Sequence, residues 1–455
     1  MFDFKFLLTL FIVVALFLTI LSLPLSGLQM FALEVILLGI YSYYLHKKYK
    51  IEYYYGMLML KTQQGLNRID DIANYKKELW KNIADIGIVM AFGVFTIFLF
   101  KHISKKKLFL GGVALFIFMF FIFPLVYPIA MSVISIPFAT SPSETTEVSG
   151  FNLLSILVLI VTLIIGISLL VVISLVIGSF DILSKIYENI FNGAVETVTP
   201  GVSLIIPGIN LPFVEGILAL AILLFVHECS HAILARVAKI KLNSAGVLIF
   251  GFIPLGAFVD PDDDELSKSK KEEQGRVIVA GSTSNFILAF FALIFFFGIT
   301  ILPLNVYDTG ITLINVKEGI ELERGDIIYS IDGVDIKSYE HFTELRQGAE
   351  PNKNVTLLTD RGEIIVPTDE NSLIGIYFSP RIKASFGWYT FLRNLFALLF
   401  SLNLFVGMIN LLPLPLFDGH HLLRIGLGEK NKLILQIINV IVIGAMLINI
   451  LPIFL

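Results

Sequence analysis

His227, Glu228 and His231 spell the pattern H-E-x-x-H inside an apolar stretch, Gly216 to Ala238, long enough to cross a bilayer. On a helix, positions i and i+4 share a face, so both imidazoles can reach one metal ion. Glu228, one residue on, is placed to act on a water beside that ion rather than to bind it. The chemistry implied is metal-assisted hydrolysis of the zinc-hydrolase kind. Ionisable groups within hydrocarbon are costly and are usually functional, which favours this reading over two histidines that merely hydrogen-bond. Two histidines leave such a metal short of protein ligands, because catalytic zinc sites usually have three, plus a water. The best candidate for the third is Asp418, which ends an apolar run in Asn410-Leu411-Leu412-Pro413-Leu414-Pro415-Leu416-Phe417-Asp418-Gly419 and precedes His420 and His421. The plainer alternative for Asp418 is an interfacial helix cap. The single cysteine, Cys229, rules out an intrachain disulfide framework, and its position off the histidine face suggests packing.

The elements that position these residues must be membrane helices. The 455-residue chain is 56% hydrophobic and only 15% charged, against about 25% charged in soluble proteins. Its net charge of −4 gives no argument for nucleic-acid binding. Apolar runs long enough to span occur at about 6–23, 28–46, 83–100, 108–136, 151–180, 213–238, 276–302, 386–416 and 432–455. The first lacks a small-residue cleavage site before Pro24 and is expected to be retained. The fold class expected is therefore a polytopic α-helical membrane protein of about nine spans. Residues 47–82 are mixed and charged and are expected to be helical; residues 138–150 read as a polar loop and 260–275 as a charged connector. The acidic run Asp260, Asp262, Asp263, Asp264 and Glu265 reads as a solvated loop rather than a cation site. Only residues 306–382 have the composition of a small soluble domain.

With both motifs in view, the chain resembles the site-2 protease family of intramembrane zinc metalloproteases, peptidase family M50. That family pairs H-E-x-x-H on one transmembrane helix with N-x-x-P-x-x-x-L-D-G on a later one. The second motif is matched at Asn410, Pro413, Asp418 and Gly419, with Phe417 in place of the usual Leu and His420 in place of a common Gly. The resemblance covers roughly residues 213–430. It implies His227, His231 and Asp418 as ligands of one Zn2+ per chain, Glu228 as general base, and Asn410 beside the site, hydrogen-bonding a substrate carbonyl or the oxyanion. Gly281 and Asn285 match the family's G-x-x-x-N/S/G pattern on the intervening span, where small residues let helices approach closely. Packing is the leading reading there, with a direct catalytic part for Asn285 as the alternative.

Within residues 306–382, Gly325-Asp326-Ile327-Ile328-Tyr329-Ser330-Ile331-Asp332-Gly333 resembles the G-D-x-I-x-x-I-x-G signature of PDZ domains. A helix is expected near Tyr339–Gln347, and strands at Asn354–Thr359 and Glu363–Val366. Many site-2 proteases carry PDZ domains at this position, which implies that this mixed α/β PDZ-like insert binds peptide ends or screens substrates by size; a structural plug with no ligand is the alternative. The organisation expected is an N-terminal transmembrane region of unassigned role (1–210), a first core part (211–305), the insert (306–382) and a second core part (383–455).

Single crossings between the core spans put the ends carrying His231 and Asp418 at similar depth on one side. Arg236, Lys239, Lys241, Lys268, Lys270 and Lys271, with Arg424, Lys430 and Lys432, favour the cytoplasm for that side. The expected location is thus a cell membrane, with the active site toward the cytoplasm and the PDZ-like insert outside. Upstream there is a conflict: residues 47–82 and the loop 101–107 are both basic, yet they flank one span. The segment Ala245 to Val259, broken by Gly246, Gly251, Pro254 and Gly256, is too short to span. Similar segments in the family form a re-entrant hairpin, whose edge can take up an unwound substrate by strand addition; a surface loop is the alternative. The function implied is cleavage of the transmembrane segments of other proteins, those segments being the expected partners. The rivals are a catalytically inactive metal-binding scaffold, a transporter, or a PDZ-anchored adaptor.

Overall fold

The structure, a computed structural model, describes residues 4–23, 27–54, 56–63, 66–131, 133, 153–192, 198–202, 205, 207, 210–302, 306–316, 321–323, 325–347, 350–368 and 376–454. The expected polar loop at 138–150 lies outside them, as do residues 319, 320 and 324 of the PDZ-like segment. In chain order the helices are α1 (Phe4–Leu21), α2 (Gly27–Tyr49), α3 (Leu66–Asn74), α4 (Lys77–Phe92), α5 (Thr96–Leu99), α6 (Lys105–Ile117), α7 (Phe123–Met131), α8 (Leu153–Phe191), α9 (Phe213–Val237), α10 (Asp263–Lys268), α11 (Lys271–Thr300), α12 (Tyr339–Gln347), α13 (Gly387–Asn410), α14 (Asp418–Leu427) and α15 (Lys432–Ile450). The strands are β1 (Glu52–Tyr54), β2 (Met57–Thr62), β3 (Leu242–Phe250), β4 (Ile253–Pro261), β5 (Tyr307–Val316), β6 (Ile327–Ile331), β7 (Val334–Asp335), β8 (Asn354–Thr359), β9 (Gly362–Pro367) and β10 (Ile376–Ile382).

Among the described residues seven helices, rather than nine, are long and apolar enough to cross a membrane: Lys77–Leu99, Lys105–Val126, Ile156–Phe191, Phe213–Val237, Lys271–Thr300, Ala384–Asn410 and Lys432–Ile453. The helices α1 and α2 are apolar but pack on a sheet. Phe17 stacks edge-on to Phe252 at 5.5 Å, and the Ser42 hydroxyl accepts the Gly251 N–H at 2.7 Å. That sheet corrects part of the expectation of helix across 47–82: Glu52–Tyr54 and Met57–Thr62 pair as antiparallel strands, whereas Leu66–Asn74 and the stretch from Lys77 are helical. Strand β2 pairs with β3, giving an antiparallel sheet in the order β1-β2-β3-β4. The segment Ala245–Val259 is thus a hairpin joined to a larger sheet, in which β4 is an edge strand. The acidic run after it caps a helix: Asp262 accepts the Glu265 N–H at 3.0 Å at the start of α10.

A sharp turn interrupts the span between the two basic stretches. Helix α4 ends at Phe92, and Gly93, with φ +55°, sends the chain back along its own path. The Thr96 hydroxyl donates to the Ile88 carbonyl at 3.3 Å, and His102 and Lys107 reach the carboxylate of Asp85 at 3.1 and 2.6 Å. A straight helix of this length would hold these groups far apart. The segment therefore folds back, and the loop 101–107 returns to the Asp85 end of α4. Only glycine permits this turn. A β-carbon at Gly93 would stand 2.4 Å from the Leu163 carbonyl oxygen, and one at Gly166, where α8 kinks at φ +73°, would stand 2.3 Å from that of Ala91.

Asp85 has no solvent exposure. Besides His102 and Lys107 it accepts two bonds from Arg276 of α11, at 2.8 and 3.1 Å. Removing one member of a buried ion cluster leaves the others desolvated and unpaired, at a cost of about 3–5 kcal/mol. Asp85→Ala is expected to destabilise the protein by that amount, read as a lower thermal midpoint in detergent. A wild-type midpoint would mean that water, not Asp85, compensates Arg276.

Residues 306–382 fold as a second sheet, ordered β10-β5-β6-β8-β9 with β7 on β6. Its own core is built on Ile311, Leu313, Ile328, Phe342 and Leu357. The expected helix and strands occur at α12, β8 and β9. Strand β10 is an edge, and its Phe378 packs on Phe342 of α12 at 4.3 Å.

Candidate metal centre

Three of the expected residues meet. The imidazole nitrogens of His227 and His231 and a carboxylate oxygen of Asp418 all lie within 4.8 Å of one another. Asp418 Oδ2 stands 3.4 Å from Nε2 of each histidine, and the two Nε2 atoms are 3.1 Å apart. Helix α9 supplies both rings from one face, as the i, i+4 spacing requires. Asp418 arrives from far along the sequence. Helix α13 ends at Asn410, the chain turns through 411–417, and Asp418 opens α14 after an extended Phe417. An acid in a first helical turn is favoured by the backbone dipole.

The remaining ring nitrogens are held from α11. His231 Nδ1 is 2.8 Å from the Val277 carbonyl, which can only accept, so Nδ1 carries the proton and Nε2 turns a lone pair inward. His227 Nδ1 is 3.1 Å from the side-chain amide of Asn285, a residue with no exposure. The amide nitrogen faces that ring and the buried amide oxygen has no partner; turning the amide over places Oδ1 there instead, where it accepts the Nδ1 proton and leaves His227 Nε2 free in the same way. These are the contacts metal-ligating histidines characteristically make.

Gly281 makes room for the pair. A β-carbon there would stand 2.4 Å from His227 Cε1 and Nε2 and 2.5 Å from His231 Nε2. The glycine serves the imidazoles, not the approach of a second helix backbone, so the G-x-x-x-N pattern has a part in the site beyond packing. Asp418 Oδ2 is buried and has no hydrogen-bond partner. An orphaned carboxylate oxygen facing two inward lone pairs is poorly stable alone and suits a cation. Two imidazoles and one carboxylate suit zinc.

Glu228 is half-buried and outside the triad; its carboxylate accepts the Val259 N–H of β4 at 3.1 Å. Asn410 is half-buried at the end of α13, and among the described residues its amide makes no hydrogen bond to the triad. His420, where the related motif commonly has Gly, has no need of a positive φ. It sits in α14 with its ring 3.3 Å from Asn439 Oδ1 of α15. Gly419 does need to be glycine, since a β-carbon would stand 2.1 Å from the Leu411 carbonyl oxygen. Just over one turn beyond His231 on α9, Arg236 grips Asp70 of α3 through two nitrogens and holds that carboxyl below the usual carboxylate range.

Comparison with known proteins agrees with this geometry. The family model described as Peptidase family M50 matches residues 215–451. The chain belongs to peptidase family M50. An uncharacterized protein of Methanocaldococcus jannaschii is 34% identical over 219 residues, covering 46% of this chain and 56% of that protein. The M50 match begins in the first turn of α9 and takes in all three residues of the triad. The chain spans just over half the length of its M. jannaschii relative. It is a multi-pass membrane protein.

Proposed function

We propose that this protein is an intramembrane zinc endopeptidase that cleaves transmembrane segments of other proteins from a cytoplasm-facing site. The observation that carries the reading is the convergence of His227, His231 and the partnerless Asp418 oxygen, beside Glu228 and below a sheet edge. His227, His231 and Asp418 hold the ion, and Asn285 and the Val277 carbonyl fix their rings. A zinc ion there supplies Lewis acidity and brings the pKa of water to about 7. Glu228 takes the proton of the attacking water and returns it to the leaving amine.

Positioning of the substrate falls to β4. Its inner edge pairs with β3, and among the described residues its outer edge has no strand partner, while Glu228 caps the Val259 N–H. A substrate helix that unwinds can add to this edge as a strand, which aims its backbone at Glu228. Segments with helix-weakening residues are therefore the expected substrates. The insert 306–382 is a PDZ-like domain on the opposite, extracytoplasmic side. It offers the β10 edge and the face of α12, around Phe378 and Tyr339, to a peptide ligand.

Metal content tests the reading. The purified wild type is expected to carry about one zinc per chain, and Asp418→Asn and His227→Ala to lose it. A wild type without metal after reconstitution with zinc would sink the protease assignment.

A further inference from the structure

We infer that the helices preceding the family core position the metal site, with Ser168 of α8 fixing the third ligand. The inference rests on the zinc reading above. Residues 215–451 carry the family match, so α4 and α8 lie outside it, yet both touch the residues that hold the triad.

The contact from α8 is a hydrogen bond. The Ser168 hydroxyl, 1% exposed, donates to the Leu411 carbonyl at 2.7 Å. Leu411 caps the C-terminus of α13, where carbonyls lack helical partners and need a donor, all the more within a membrane. The same carbonyl oxygen is where a Gly419 β-carbon would stand at 2.1 Å, so the backbone of Gly419 rests directly on it. Asp418 is the adjacent residue. Ser168, the Leu411 carbonyl, Gly419 and Asp418 thus form one stack that sets the height of the carboxylate against the histidines. Below it, Leu412 and Leu414 of the turn are buried with Val171, Val172 and Leu175 of α8.

A contact of the same kind comes from α4. Asp85 fixes Arg276, and the next residue, Val277, presents the carbonyl that orients His231. Two turns further along α11, Thr283 sits against Gly87 of α4, where its hydroxyl oxygen would lie 1.8 Å from a β-carbon. The Gly93–Gly166 contact locks α4 to α8, so the two clamps act as a single frame.

The test uses full-length protein with Co2+ in place of zinc, whose visible absorption reports coordination geometry independently of activity. Residues that orient ligands alter metal affinity by about 10–100-fold when lost. Ser168→Ala is expected to weaken Co2+ binding about tenfold by chelator competition and to change the absorption bands. Ser168→Thr, which keeps the hydroxyl, is expected to resemble the wild type. Ser174→Ala removes a hydroxyl that serves only its own helix, at Leu170, and is expected to change nothing. Ser168→Val replaces the alanine variant if that one fails to fold, because valine and threonine have the same shape. Unchanged affinity and bands on loss of the hydroxyl would overturn the inference, as would a threonine variant as weak as alanine. A wild type that takes up no Co2+ would instead remove the metal reading itself, a distinguishable failure.

Discussion

Gly281→Ala is expected to weaken metal binding by at least about 10–100-fold while leaving the helix bundle intact. The added methyl would lie 2.4 Å from His227 Nε2 and 2.5 Å from His231 Nε2, where carbon and nitrogen normally keep about 3.5 Å. The helix cannot yield, because neighbouring Ser282 and Asn285 have no exposure and Thr283 is lodged against Gly87. The rings must therefore move by about an ångström, whereas metal ligands tolerate about 0.2 Å. His227 would lose Asn285, and His231 the Val277 carbonyl. The expected result is at least a 10–100-fold loss of zinc affinity by chelator competition. Gly298→Ala, on the same helix with nothing within 4 Å, is the control. It is expected to keep its zinc and gain up to about 1 kcal/mol in helix propensity. An alanine at 281 with wild-type zinc would mean that the ion sits away from the Nε2 atoms.

How much of this site could be read from the sequence depends on where each contribution resides. The histidines were legible because helical period turns a spacing into a shared face. Asp418 was legible as a charge at the end of an apolar run, and its partnership with His227 only through the second motif. Gly281 and Asn285 were visible as a pattern, but small residues fit packing equally well, and only the structure shows imidazoles in the space. The Val277 carbonyl had no signal, since every residue has one. Ser168 is an ordinary serine in an apolar run, and its bond to Leu411 spans 243 positions. Asp85 did carry a signal: a lone acid inside an apolar run, upstream of a basic loop, is a costly residue in want of a partner. The hairpin at 52–62 was also announced, by its tyrosines and by Gly56, whose φ is +90°. The charges around it drew attention from that strand-like composition. The fold-back at Gly93 was hidden for a different reason: hydropathy measures length and composition, and a re-entrant segment has both.

Glu228→Gln is expected to separate binding from chemistry. The residue is no member of the triad, and its carboxylate accepts the Val259 N–H at 3.1 Å. Glutamine keeps the length and an acceptor oxygen, so it retains that bond and the position of β4, and zinc content should match the wild type. What it lacks is a carboxylate to take a proton, and loss of a positioned base costs about 100- to 10,000-fold. Cleavage of a membrane-embedded substrate should fall by that factor with zinc still in place. Glu228→Asp adds a second reading, because its carboxylate is one methylene short. It remains a base but cannot reach both the water and the Val259 N–H. It should therefore fall less than glutamine in rate and more in substrate affinity, if β4 receives the substrate. A metal-storing or transport site would tolerate glutamine, since charge and shape at the ligands are untouched. A Glu228→Gln variant that cleaves at the wild-type rate would remove Glu228 as the base, and one that loses zinc would place the carboxylate among the ligands.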